Sequence, residues 1–308
     1  MECIELKKVS KTYAGARGES DRLAVSPLDL KIESGEFIGL LGPNGSGKST
    51  LLRMLVGMER LSTGEITPPI DRAFRARLGV IFQHPALDAI LSVRENLRLA
   101  GRLHGLGGED LATRIASLAK AFGVSDRLDS RVGSLSGGLA RRADLARAMI
   151  SNPEVLVVDE ATSSLDQGAR EEFISLILSQ REQRIMTVVM ATHRPEEVRG
   201  ADRVLVMNHG KIVRRGTPIE LIESLGHSEL VVRSPSDEVR GLLVAAGLSL
   251  IDRPNDVTAY TDRLEPSLIS SLHEHGASMS MKPTDLASVY RDAMDEAAEQ
   301  TTTESTNA

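Results

Sequence analysis

The chain has 308 residues, 41% of them apolar, a formal charge of −6, no tryptophan, five phenylalanines and three tyrosines. Such a length favours one large domain with a smaller one, or two of similar size, and the apolar share suffices for a packed core. The acidic balance and the scarcity of aromatics argue against the basic, stacking surface that nucleic acids select. A single cysteine, Cys3, leaves no internal disulfide and reads as an incidental thiol of a reducing compartment. The opening MECIELKKVSKTY has no secretion signal, and no apolar run approaches the ~18 residues of a membrane helix, so a membrane role has to come through a partner.

From the N-terminus, β-like runs alternate with turns: CIELKKVS, a polar loop AGARGESDR, LDLKIESGEFIGLLG, and GVIFQ near 80–82. Within this region GPNGSGKST, residues 42–50, follows the strand-like FIGLL and precedes the helix-like STLLRMLVG. It fits G-x-x-x-x-G-K-[ST] through Gly42, Gly47, Lys48 and Ser49. Glycines let consecutive N–H groups converge on phosphate oxygens, and the following helix adds its dipole. Lys48 is placed to reach the β- and γ-phosphates and the Ser49 hydroxyl to ligate Mg²⁺.

Between residues 85 and 150 the pattern turns helical. Ser92 and Glu95 have capping-box spacing, with Leu97, Leu99 and Leu103 expected to pack along the next turns. A second helix is expected over 111–122, with Leu111, Ile115, Leu118, Ala119 and Phe122 on one face. In SLSGGLARR, Ser136 is placed to cap a helix beginning near Gly138. Its hydroxyl and the N–H groups of Gly137 and Gly138 then form a corner that suits an anion.

Strands return with NPEVLVVDE, whose continuous apolar run suits a strand buried on both faces. Asp159 at its end would be delivered beside the phosphate loop, and there hold Mg²⁺, if this strand and the one before the loop are neighbours, and Glu160 is placed to polarise a water for attack on the γ-phosphate. A helix over 168–181, the strand IMTVVMATH ending at His193, and a hairpin around His209-Gly210 follow. The sum is an α/β core with a helical insertion. After Gly216 the order βαββαβ is that of a ferredoxin-like split arrangement, followed by a helix over about 285–299 and a polar tail.

With these residues assembled, the chain resembles the ATP-binding cassette (ABC) transporter ATPases over about residues 3–226. The phosphate loop, Gln83, LSGG at 135–138, VLVVDE at 155–160, SSLD at 163–166 and His193 occur in that family's order. The resemblance implies a P-loop ATPase domain at 1–226 and a small α+β accessory domain at 227–300, while the polar composition of 301–308 reads as a disordered tail. It implies ATP bound by Gly42, Pro43, Asn44, Gly45, Ser46, Gly47, Lys48, Ser49 and Thr50, with Tyr13 stacked on adenine. Mg²⁺ would be held by Ser49, Gln83 and Asp159, and catalysis carried by Lys48, Gln83, Glu160 and His193. Ser136, Gly137 and Gly138 would touch the γ-phosphate on a second subunit, and Asp166 would help close that interface.

The same resemblance implies a homodimer of cassettes on a separate integral membrane permease, peripheral on the inner face of the cell membrane. Leu87, Ile90 and Leu91 are then the expected wall of the groove that receives the permease, or else simply pack the helical part. Two positions depart from the commonest pattern. Leu139 replaces the usual glutamine after LSGG, and ATSSLD stands where many relatives have Pro-Thr and Gly-Leu-Asp. The apolar Leu139, the arginines after it and the βαββαβ tail look like the branch serving two-component exporters of drugs, antibiotics, lipids or glycans. Import is the weaker reading within transport, and a soluble regulatory or ribosome-associated switch is the alternative outside it.

Overall fold

The computed structural model describes residues 3–15 and 20–306, with side chains to residue 296; part of the expected polar loop and the last two residues of the expected tail lie outside the described residues. Strands β1 (Ile4–Tyr13) and β2 (Arg22–Ile32) pair antiparallel, β3 (Phe37–Leu41) leads into α1 (Lys48–Leu55), and β4 (Thr63–Thr67) returns to the free side of β1. Helix α2 (Arg72–Ala76), capped by Asp71, precedes β5 (Leu78–Ile81). The helical insertion is α3 (Val93–Leu103), α4 (Gly108–Ala121) and α5 (Gly137–Ala148). Then come β6 (Val155–Asp159), α6 (Gln167–Gln183), β7 (Thr187–Thr192), the β8 (Arg203–Asn208) and β9 (Lys211–Gly216) hairpin, and α7 (Pro218–Glu223).

The main sheet runs β5-β6-β7-β3-β8-β9, parallel except for β9. Its apolar runs are continuous because each strand feeds two cores. Phe37, Leu41, Leu156, Val158, Val188, Met190, Val204 and Val206 face the helical insertion and α6. Their alternates Ile38, Leu40, Val155, Val157, Val189, Ala191, Leu205 and Met207 face α1 and the antiparallel sheet.

The Ser92–Glu95 capping box forms at the start of α3. Val93, Leu97 and Gly101 point inward, one helical turn apart, whereas Leu99 and Leu103 are 51% and 79% exposed. The expectation that all three leucines pack therefore holds for Leu97 alone, because positions two residues apart lie roughly 200° round a helix. Of the expected groove residues, Ile90 is exposed, while Leu87 and Leu91 are half-buried and Leu87 packs on the core.

Beyond α7 lie β10 (Ser228–Arg233), α8 (Asp237–Ala245), β11 (Ile251–Asp252), β12 (Asp256–Thr261), α9 (Pro266–Glu274) and β13 (Ser278–Pro283). They form an antiparallel sheet in the order β11-β12-β10-β13. One face buries Leu230, Val232 and Val257 against Val239, Leu243 and Leu272 of the two helices. The other face is polar and meets α10 (Leu286–Thr306). Glu229, 1% exposed, accepts from the Ser288 hydroxyl and from Arg291 at 2.8 Å, with Lys282 at 3.3 Å. Tyr260 donates to the Ser288 carbonyl, and burial, then Glu229, push its phenol up to about 12.

The opposite side of α10 returns to the ATPase core. Leu286, Val289 and Ala293 join the cluster containing Val198, Val206 and Leu221, and Arg214 pairs with Asp292. The last helix, expected within an accessory domain at 227–300, thus packs on both units. Its bounds run to Thr306. Leu286 is 3% exposed. Leu286→Ala is expected to lower the unfolding free energy by about 2–4 kcal/mol in urea titration, a cost under about 1 kcal/mol being incompatible with this seam.

Candidate functional site

Two glycines of the phosphate loop are required by geometry. Gly47 has φ of 103°, and a Cβ there would lie 2.4 Å from the Ala24 carbonyl oxygen. A Cβ on Gly42 would lie 2.3 Å from the Met207 carbonyl oxygen. The loop is held by its own backbone: Ser46 N–H donates to Pro43 O, Gly42 N–H to Thr192 O at 3.2 Å, and Gly210 N–H to Ser46 O at 2.9 Å. Gly47 offers α1 no side-chain cap, so the first N–H groups of that helix are left to the concavity of the loop.

Lys48 is 3% exposed and its ammonium donates to Gly42 O at 2.8 Å and Pro43 O at 2.9 Å, with Glu160 Oε1 at 3.2 Å. Ser49 Oγ donates to Asp159 Oδ1 at 2.7 Å. The condition set for Asp159, that its strand neighbour the one before the loop, is not met in that form: β7 lies between β3 and β6. The carboxylate spans the gap because it projects from the strand end towards α1. Burial pushes the Asp159 carboxyl above its ordinary range, the Ser49 hydrogen bond opposes this, and neighbouring Glu160 adds to it.

Glu160 has φ of 46°, in the left-handed region, and its N–H donates to Ala191 O at 3.0 Å. Its Oε2 lies 3.9 Å from His193 Nδ1, an atom that is buried without a hydrogen-bond partner among the described residues. A cavity of about 380 Å³ is lined by residues 44–50, Gln83, Glu160 and Arg22. Arg22 had no signal in the sequence, since it enters only through its β-ladder pairing with Tyr13. Tyr13 itself does not line this space; its hydroxyl donates to Glu59 at 3.3 Å and the Lys11 ammonium lies 4.9 Å from its ring centre.

Ser136 caps α5, which begins at Gly137, and its hydroxyl accepts from Leu139 N–H at 3.4 Å. Space beside Gly137 is open, and a Cβ on Gly138 would touch Ala169 at 3.6 Å. Asp166 caps α6, accepting from Ala169 N–H at 2.9 Å. The corner at 136–138 and the start of α6 therefore sit side by side, but neither lines the phosphate cavity. Leu139 is half-buried and packs on the core.

A family model described as "ABC transporter" matches residues 25–163. Nod factor export ATP-binding protein I of Rhizobium sp. (strain N33) is 41% identical over 229 residues, which are 71% of this chain and 74% of that protein. The protein of the same name in Cupriavidus pinatubonensis is 35% identical over 302 residues, 93% of this chain and 89% of its own. The MJ0796 ATP-binding cassette, solved as a dimer in a post-hydrolysis state with ADP and Pi, is 28% identical with a TM-score of 0.64, covering 70% of this chain and 98% of that one. The chain belongs to the ABC transporter ATP-binding proteins. It binds and hydrolyses ATP as the ATPase subunit of such a transporter.

One residue central to this cassette escaped sequence reasoning. Arg141 in α5 is 1% exposed and donates to the carbonyls of Phe82, at 2.7 Å, and Gln83. Asp144, fully buried, accepts from Arg147 at 2.7 Å and from Ala86 N–H at 3.3 Å, with Arg141 at 3.9 Å. Arg147 also donates to Val80 O at 2.6 Å. Burial pushes the Asp144 carboxyl up, and Arg147, then Arg141, oppose it. The helix that begins with Ser136 thus grips the backbone that carries Gln83. The Arg-x-x-Asp-x-x-Arg spacing was its only sequence trace. Arg141→Met is expected to cost about 3 kcal/mol in urea unfolding, because two carbonyls and part of the Asp144 charge lose their partner, and to lower ATP turnover as Gln83 loosens.

Proposed function

We propose that two copies of this chain close head to tail on ATP and drive export through a separate membrane-spanning partner. The observation that carries this reading is the separation just described. One chain holds a phosphate cavity that the Ser136-Gly137-Gly138 corner does not line, which supports a second copy supplying that corner to each site. Glycine at 137 and 138 leaves that corner open to an approaching phosphate, and the backbone N–H groups at the start of α5 supply the donors. Asp166, beside the corner, lies in the same closing surface.

In this reading Lys48 exchanges its Glu160 partner for the β- and γ-phosphates, which frees Glu160 to accept a proton from the attacking water. His193 donates to the γ-phosphate from the far side, and Tyr13 or Arg22 meets the base. Among the described residues no three His, Cys, Asp or Glu side chains converge as a metal cage. Ser49 and Asp159 are nonetheless two hard oxygen donors 2.7 Å apart, the partial set suited to Mg²⁺ that takes its other ligands from phosphates and water. Ser49, Asp159 and Gln83 would hold it, and bound there it neutralises charge on the phosphates.

Among the described residues no helix is long and apolar enough to cross a membrane. Leu99 and Leu103, exposed beside a groove of about 220 Å³ that Ala86, His104 and Arg147 also line, offer an apolar seat for a helix of a permease. The groove lies on the segment that Arg141 and Arg147 hold, so permease movement and Gln83 are mechanically joined, and the chain sits on the inner membrane face through that contact. Relatives named for Nod factor export support an exporter whose cargo is of the drug, antibiotic, lipid or glycan class.

Glu160→Gln is expected to retain an ATP-stabilised dimer in size-exclusion chromatography while turnover falls by ~10²–10⁴; near-parental ATPase activity contradicts the role of Glu160. Ser136→Arg is expected to abolish ATP-dependent dimerisation and Leu139→Gln to leave it within about threefold, because the corner is mostly backbone and Leu139 faces the core. Equal effects of the two substitutions exclude this account of the corner.

A further inference from the structure

We infer that Glu197 is a positioning residue that locks Glu160 and His193 into one unit with the phosphate loop; this rests on the catalytic roles proposed for those two residues. Glu197 lies in the single turn Pro195–Val198 and is 4% exposed. Its Oε1 accepts from the Thr162 hydroxyl and its Oε2 from the Thr192 hydroxyl, both at 2.6 Å. Both threonines are buried. Short hydrogen bonds to a carboxylate are among the stronger and more directional contacts available inside a protein.

The two threonines stand where the site is assembled. Thr162 follows Glu160 by two residues, in a turn closed by Ser163 N–H on Glu160 O and Leu165 N–H on Thr162 O. Thr192 precedes His193; its hydroxyl accepts from Arg194 N–H at 3.0 Å and its carbonyl accepts from Gly42 N–H at 3.2 Å. One carboxylate therefore braces the segment of Glu160, the segment of His193 and, through Thr192, the first glycine of the phosphate loop. Arg170, 3.4 Å from Glu197, also donates to Leu165 O, which brings in the start of α6 beside Asp166.

The turn is itself pinned on the sheet. Val198 is fully buried, and a Cβ on Gly39 of β3 would lie 2.5 Å from it, so only glycine admits the approach. Glu160 holds a left-handed backbone, which a non-glycine residue keeps only where its surroundings over-determine it. An apolar residue at 197 would fill the same space without setting two segments in register, whereas a carboxylate carries a desolvation cost that its specific bonds offset. The quantity under control is the placement of Glu160 against His193, 3.9 Å apart.

The test uses the full chain and measures kcat, KM for ATP and thermal unfolding for Glu197→Ala, Glu197→Gln, Thr162→Val and Thr192→Val, with Glu160→Gln alongside. Glu197→Ala is expected to lower kcat by ~30–100-fold with KM within ~3-fold, as loss of about 1 Å of placement does. Glu197→Gln should recover to within ~5-fold, because its amide can accept from one threonine and donate to the other. The two valine variants together should lose no more than Glu197→Ala, since all three substitutions break one network. A kcat for Glu197→Ala within ~3-fold of the parent, or a loss that only follows the unfolded fraction, overturns the inference. If Glu197→Ala does not fold, the valine variants decide, and unchanged kcat in both overturns it. If Glu160→Gln keeps near-parental turnover, the role of Glu160 has failed. If Glu160→Gln is inactive while the Glu197 and threonine variants are fully active, the brace alone has failed.

Discussion

Burial of β3, β7 and β6 on both faces fixes their register, and that register sets Leu41 beside Thr192 and Asp159 beside Ala191. The phosphate loop, His193 and the Asp159-Glu160 pair thus leave the sheet at one edge, the carboxyl end of parallel strands where ligands of such folds gather. A slip of one residue would exchange the two apolar sets of every strand and withdraw the three segments from one another. Lys48, with its ammonium shared between loop carbonyls and Glu160, is where they meet.

Beyond the sheet, precision comes from buried charge. Arg141, Asp144 and Arg147 tie the helix starting at Ser136 to the backbone of residues 80–86. Glu197 ties the turn after Glu160 to the strand end before His193. Both groups sit where an apolar residue would pack at lower desolvation cost, and both supply directional bonds between segments distant in sequence. The accessory sheet follows the same logic through Glu229 and Arg291 on α10, whose other side is apolar and belongs to the ATPase core.

Much of the site was legible before any coordinates because its chemistry is local. The loop at 42–50 needs glycine spacing, a lysine and a helix start, all of them neighbours in the chain. Ser136 and Asp166 are helix caps, and capping is read from three or four residues. Leu99 and Leu103 were misassigned to the core because a run of leucines does not reveal which side of a helix has a partner.

Sequence alone therefore determined the order of motifs, the α/β core with its helical insertion, the βαββαβ unit, and the glycine-rich loop and acidic pair from which the candidate site is built. Each of these rests on periodicity or on spacing within a few residues. Tertiary structure decided that β7 stands between β3 and β6, that Arg22 rather than Tyr13 lines the cavity, that Leu139 packs inward, and that α10 joins both units. It also brought Thr162, Thr192 and Glu197 together. The physical reason is that packing and buried hydrogen bonds pair groups many residues apart, and no local pattern records which of the possible partners lies across the core.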